Sequence, residues 1–171
     1  FSPRIAKIDS DTLLGAWARV AGDISQTDSP EQVSAHLEIV AAHYDQSSGT
    51  WGPVTSLTQN NVTDRDPLPV QFGSAQGVVW VQNQGESTGG EPSAGYRLMY
   101  SAWTGSAWAA PVALWADEQS ILDVSFVVDG DGEGHLVFSV DEDGNADTPE
   151  GRESFHIQTL TGAWQMASRI T

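Results

Sequence analysis

The sequence contains no cysteine. Disulfide bridges and thiolate metal centres are therefore excluded as sources of stability or chemistry. Basic residues are scarce, with seven Lys and Arg against 23 Asp and Glu and a formal net charge of -16. Such a surface repels nucleic acid and anionic lipid, because binding a polyanion requires Lys and Arg to displace its counterions. It suits extracellular proteins, salt-adapted proteins and calcium binders, and it also simply favours solubility. No run of about 18 apolar residues exists, so the sequence encodes no membrane-spanning helix. The Gly-x-Ser-x-Gly elbow, the P-loop and the dinucleotide fingerprint are missing too. The chain opens at Phe1 with neither an initiator Met nor a signal peptide. The expectation is a mature product, a trimmed product or a fragment.

What is present is tryptophan, glycine and a long-period repeat. Seven Trp and 17 Gly occur in 171 residues, a length that supports one good core. Trp51, Trp108 and Trp164 follow Gly49, Gly105 and Gly162 by two or three residues, at spacings of 57 and 56. Trp17, Trp80 and Phe138 each close a short apolar run, at spacings of 63 and 58. A period of this size signals a repeat architecture. Each unit reads as four strands: residues 4–8, 13–20, 36–44 and 51–57; then 67–72, 77–82, 96–103 and 107–114; then 122–128, 135–140, 154–160 and 164–170. Alternating apolar residues and abundant Val, Ile, Trp and Tyr carry that reading. Residues 29–44 are the best helical stretch, because Ser-Pro-Glu can open a helix, but the matching positions of the other units read as strand. SSGTW, TGSAW and LTGAW are read as tight hairpins whose Gly supplies a positive φ. The Trp after each hairpin is expected to pack between neighbouring units.

Four antiparallel strands per unit describe a propeller blade. The stretch YRLMYSAWTGSAWAAPVAL, followed by ILDVSFVVDGDGEGHLVFSVDEDG, resembles the blade repeats of sialidase-like (BNR-type) bacterial extracellular propellers. The resemblance runs along nearly the whole chain. It implies an all-β β-propeller of three four-stranded antiparallel blades at residues 1–59, 60–117 and 118–171, and an extracellular or cell-surface location. The sialidase Asp-box survives only in outline: Gly105 keeps its spacing to Trp108, while Trp103 stands at the Asp position. Because propellers close with about four to eight blades, three imply further blades, from self-association or from the rest of a longer chain.

The longest predicted loops, residues 21–35, 83–95 and 141–153, all join second to third strands and are acidic. In a propeller they share one face with the segments between blades, 58–66 and 116–121. A ligand site is expected on that face, with solvated decoration as the alternative. Arg19 and Arg65 are candidates to hold a carboxylate there. Asp23, Glu86 and Asp143 stand at loop starts as candidate carboxylates, and Trp103 and Trp115 as aromatic platforms for a sugar. Asp141, Asp143, Asn145 and Asp147 place oxygen ligands at every second position, a pattern that suits calcium. The alternative for that loop is a hydrophilic turn. Asp129-Gly-Asp131-Gly-Glu133 is read as a hairpin rather than a second cation loop. The four histidines, His36, His43, His135 and His156, are read as structural or solvated.

The functional expectation is a non-catalytic module that binds a carbohydrate or protein partner through its acidic loops, with calcium as a possible cofactor. The alternatives are part of a sialidase-like glycoside hydrolase, whose other blades supply the missing groups, or a purely structural self-assembling unit.

Overall fold

A computed structural model describes residues 3–22, 25, 29, 33–34, 36–84, 95–143 and 150–170. Among them the chain forms three antiparallel sheets, each a meander in sequence order. The first holds β1 (Arg4–Lys7), β2 (Thr12–Val20), β3 (Leu37–Asp45), β4 (Thr50–Trp51) and β5 (Thr55–Ser56). The second holds β6 (Thr63–Phe72), β7 (Ala75–Asn83), β8 (Tyr96–Ala102) and β9 (Val112–Asp117). The third holds β10 (Ser120–Val128), β11 (Gly134–Asp141), β12 (Arg152–Leu160), β13 (Ala163–Trp164) and β14 (Ser168–Arg169). Of residues 29–44, the part from Leu37 onward lies in strand β3, as the repeat demanded, while Val33 and Ser34 are helical.

The fourth arm of each repeat departs from the continuous strand expected. It runs in two pieces with the same break. Trp51 pairs with Tyr44, Trp108 bridges Trp103, and Trp164 pairs with Thr159. Pairing resumes four residues later, at Thr55, Val112 and Ser168. One hydrogen bond spans each break: Gly52 N to His43 O, Ala109 N to Ala102 O, and Gln165 N to Gln158 O, each 2.8 Å. Pro53 and Pro111 lie in the first two breaks, and proline has no N–H to give a ladder. In the second sheet this moves the strand from the expected 107–114 to Val112–Asp117.

The sheets stack face to face. Leu14, Ala16, Ala18, Ile39 and Ala41 of the first pack on Val78, Trp80 and Met99 of the second. Val79, Val81, Leu98 and Tyr100, from the other face of the second sheet, pack on Leu136, Phe138, Val140 and Ile157 of the third. Successive residues of a strand point to opposite faces. That is why Val78, Val79, Trp80 and Val81 are all at most 1% exposed and read as an unbroken apolar run. β11 alternates instead: Leu136, Phe138 and Val140 are buried, while Val137 is 41% exposed.

The two ends of the stack differ. Short hairpins close one end, and Gly73 N donates to Gly132 O between two of them at 2.8 Å. The β2–β3, β7–β8 and β11–β12 connections and the links between sheets leave from the other end. The first strands β1, β6 and β10 lie side by side along one edge of the stack.

Candidate functional site

At the loop end, the first strands enclose a cleft of about 140 Å³. Arg4, Arg65, Asp66 and Asp123 supply its charges, with Leu68 and Val124 among its apolar walls. Two irregularities shape it. β6 bulges between Arg65 and Leu68, and β10 between Ile121 and Asp123. A bulge inserts an extra residue and re-aims the side chains around it. Asp66 sits at φ 53°, in the left-handed region, immediately before Pro67. Proline pushes its predecessor toward extended backbone, so this conformation carries local strain. The Arg65 guanidinium bridges the two bulged strands: it pairs with Asp66 and donates to Ile121 O at 2.8 Å. The Arg4 guanidinium has no hydrogen-bond or ion-pair partner among the described residues, and Asp123 Oδ1 accepts from Val124 N at 2.9 Å.

The adjacent residue of β6 fastens the opposite face. Asp64, fully buried, accepts from Trp80 Nε1 at 2.8 Å, Gln82 Nε2 at 2.9 Å and Asn60 Nδ2 at 2.8 Å. Burial pushes its carboxyl above the usual carboxylate range, against the pull of those donors. Asn60 N in turn donates to Glu38 Oε1 at 2.7 Å, and Ile39 N donates to Thr58 Oγ1 at 2.8 Å. The link between the first two sheets is therefore pinned, and Asp64 and Arg65 tie the middle sheet to both neighbours. The cleft stands on rigid strands with short connections behind it.

The structure separates the residues singled out from sequence. Arg65 lines the cleft, but Arg19 lies on the outer face of the first sheet and donates to Ser56 Oγ at 3.0 Å. Trp103 sits at the hairpin end, its ring 4.8 Å from His43 and 5.4 Å from Trp108, in the seam between the first two sheets. It shares no site with Arg65. Trp115 packs edge-on against Phe138, with 5.2 Å between centroids. Asp23, Glu86, Asn145 and Asp147 lie outside the described residues. Asp141 is buried at the end of β11, opposite Arg152, and Asp143 is exposed beside Gly151. Among the described residues, no group of three or more His, Asp or Glu is placed to hold a metal ion.

Asp129-Gly-Asp131-Gly-Glu133 does form the β10–β11 hairpin, with Asp129 Oδ1 accepting from Asp131 N and Glu133 N. His135 joins Asp129 and His156 through its two ring nitrogens, each contact 3.0 Å. That hydrogen bond holds the Asp129 carboxyl below the usual range. Sequence reading missed Arg4, Asp66 and Asp123. The expected strand began only at Pro67; the observed β6 begins at Thr63, which puts Asp66-Pro67 inside a ladder, where proline marks a bulge or an edge. Nothing local distinguished Arg4. Among known proteins, no family model and no curated protein matches the chain.

Proposed function

We propose that this chain is a β-propeller module with three blades, acting outside the cell or at its surface. It binds a carbohydrate or protein partner without chemistry, through the loop end. One observation carries the reading: the long connections and the inter-sheet links leave three stacked sheets at the same end, around a charged cleft between their first strands. Brought together, loops on rigid strands make the usual ligand platform. Asp66 and Asp123 line the cleft with Arg4 and Arg65, and Asp117, Glu118, Glu142 and Asp143 are exposed at strand ends on the same end of the stack. This mixed rim favours a ligand with many hydrogen-bonding groups, donors toward the acids and acceptors toward the arginines. Calcium held by Asp141, Asp143, Asn145 and Asp147 fits the same reading, because side-chain oxygens at alternate positions suit a hard cation.

A glycan array probed with the wild-type chain, Arg65→Ala and Trp103→Ala tests it. Binding that falls about tenfold or more on losing the Arg65 hydrogen bonds, with little change at Trp103, supports the loop-end site. Binding that depends on Trp103 instead overturns it.

A further inference from the structure

Within the stack, each sheet presents the same two knobs to the sheet before it. Trp80 and Trp108 of the second sheet pack into the seam with the first. Phe138 and Trp164 of the third pack into the seam with the second, where Trp164 meets Phe72 edge-on at 4.9 Å and Tyr100 at 5.6 Å. The first sheet carries the same knobs, Trp17 and Trp51, at the same register, yet they face outward. Trp17 is paired with Val40, and the Trp51 ring lies against Gly15, where a Cβ would meet it at 2.9 Å. Trp51 remains 51% exposed, with Ile5 at 59% and Val54 at 50% on the same sheet. Trp80, by contrast, is 0% exposed.

The third sheet has the converse surplus. The positions that receive knobs are Ala16, Ala18, Ile39 and Ala41 in the first sheet, and Val79, Val81, Leu98 and Tyr100 in the second. By register, their counterparts in the third are Val137, Ser139, Ser154 and His156, on its outward face. Val127, Val137 and Leu160 are exposed on that same face, at 63%, 41% and 55%. Of the large exposed apolar side chains among the described residues, only Val112 belongs to the middle sheet. The unpartnered apolar surface is concentrated on the two flanks.

Charge orders the flanks in the same sense. The outward face of the first sheet carries Arg19, in register with the buried Glu38, toward the loop end and Lys7 toward the hairpin end. The outward face of the third carries Asp123, with Asp141 opposite Arg152, toward the loop end and Asp129, bonded to His135, at the hairpin end. Aligned as the internal sheets are aligned, cation meets acid at both ends.

We infer that the outward face of the first sheet docks on the outward face of the third sheet of a second copy, head to tail, and that two copies close a ring of six sheets. This rests on the propeller reading and names its missing blades. The contact is heterologous: Trp17 and Trp51 of one copy enter the surface around Val137 and His156 of the other, and the reverse contact closes the ring. Large aromatic side chains seated in such a surface dominate association energetics.

The test is solution mass. Analytical ultracentrifugation of the chain is expected to give twice 18.3 kDa, that is 36.6 kDa. Trp51→Ser and Val137→Glu, each on its own flank, are both expected to give monomers with unchanged circular dichroism. Mixing the two variants is expected to restore dimers, because each keeps the flank the other lacks. A wild-type monomer at about 100 μM, a concentration well above the Kd of a stable pair, overturns the inference. So does a dimer that Val137→Glu leaves intact, since that would be a symmetric pairing of first sheets. So do open assemblies larger than two copies. A monomer would leave the loop-end site to be judged by its own array, so the two readings fail separately.

Discussion

Asp64 shows how much of this architecture hangs on single side chains. Its carboxylate accepts from Trp80 Nε1 and from Gln82 Nε2, and it also holds Asn60 in the link between sheets. Asp64→Ala would strand buried donors, at about 1–3 kcal/mol for each unsatisfied group. The expected loss is about 3 kcal/mol in urea denaturation, a large part of the stability of a domain this size. Its pH dependence runs against that of the other shifted acids. Because burial raises its folded pKa, its contribution is complete below the unfolded carboxylate range and is lost as pH rises through the folded value. Asp9, Asp45, Asp129 and Glu133 are lowered by turn and side-chain hydrogen bonds. Their contributions are present above the ordinary carboxylate range and disappear as pH falls through the folded values. Replacing Asp64 by Asn removes the opposing titration. Stability measured from about pH 4 upward, the ordinary carboxylate pKa, should then rise more steeply with pH than in the wild type. An unchanged slope would show that Asp64 titrates alike folded and unfolded.

At the scale of strands, what the sequence revealed depended on how many faces a strand buries. β7 was plain because Val78 to Val81 form a run buried on both sides, and β11 because its apolar residues alternate. The fourth arms were legible only as to place. Their tryptophans fixed the period, but the break after each Trp comes from ladder geometry that no local pattern in the third repeat betrays, since Gln165-Met166-Ala167 contains neither Gly nor Pro. The cleft was partly hidden for a related reason. Bulges at Asp66 and Leu122 bring residues of two strands together, and only the first carries a proline as a mark. Gly77 was legible as a strand residue but not as a packing requirement. A Cβ there would lie 2.5 Å from Ser101 O and 2.4 Å from the Tyr100 ring. The Ser101 carbonyl belongs to the paired strand and cannot swing aside. Gly77→Ala should therefore cost about 3 kcal/mol by overpacking, although alanine is a better strand residue. Thermal melting checks it: a loss under about 1 kcal/mol would mean that β7 and β8 separate without penalty.

For the whole molecule, the dominant long-range term is self-repulsion. A net charge of -16 on 171 residues crowds carboxylates into one compact body. The described residues offset it with few ion pairs, chiefly Arg65 with Asp66 and Arg169 with Glu142 and Glu153. These pairs are partly or fully exposed, and such pairs contribute little. Repulsion among unpaired surface acids acts over many ångströms, whereas salt at physiological strength screens beyond about 8 Å. Screening should therefore relieve more repulsion than it removes attraction. Raising NaCl from low to moderate concentration is expected to stabilise the fold by about 1 kcal/mol, a rise in Tm of roughly 3 °C for a chain of this length. The measurement belongs on the Trp51→Ser variant, so that association at the flanks does not enter. A fall in Tm with added NaCl would mean that paired charges outweigh repulsion. In the wild type the same salt series carries a second signal. The flank contact joins cations to acids across apolar surface, so its association constant should weaken with salt while the fold of each copy strengthens. Opposite salt responses of Tm in the variant and dimer affinity in the wild type would distinguish intramolecular repulsion from intermolecular attraction in one acidic chain.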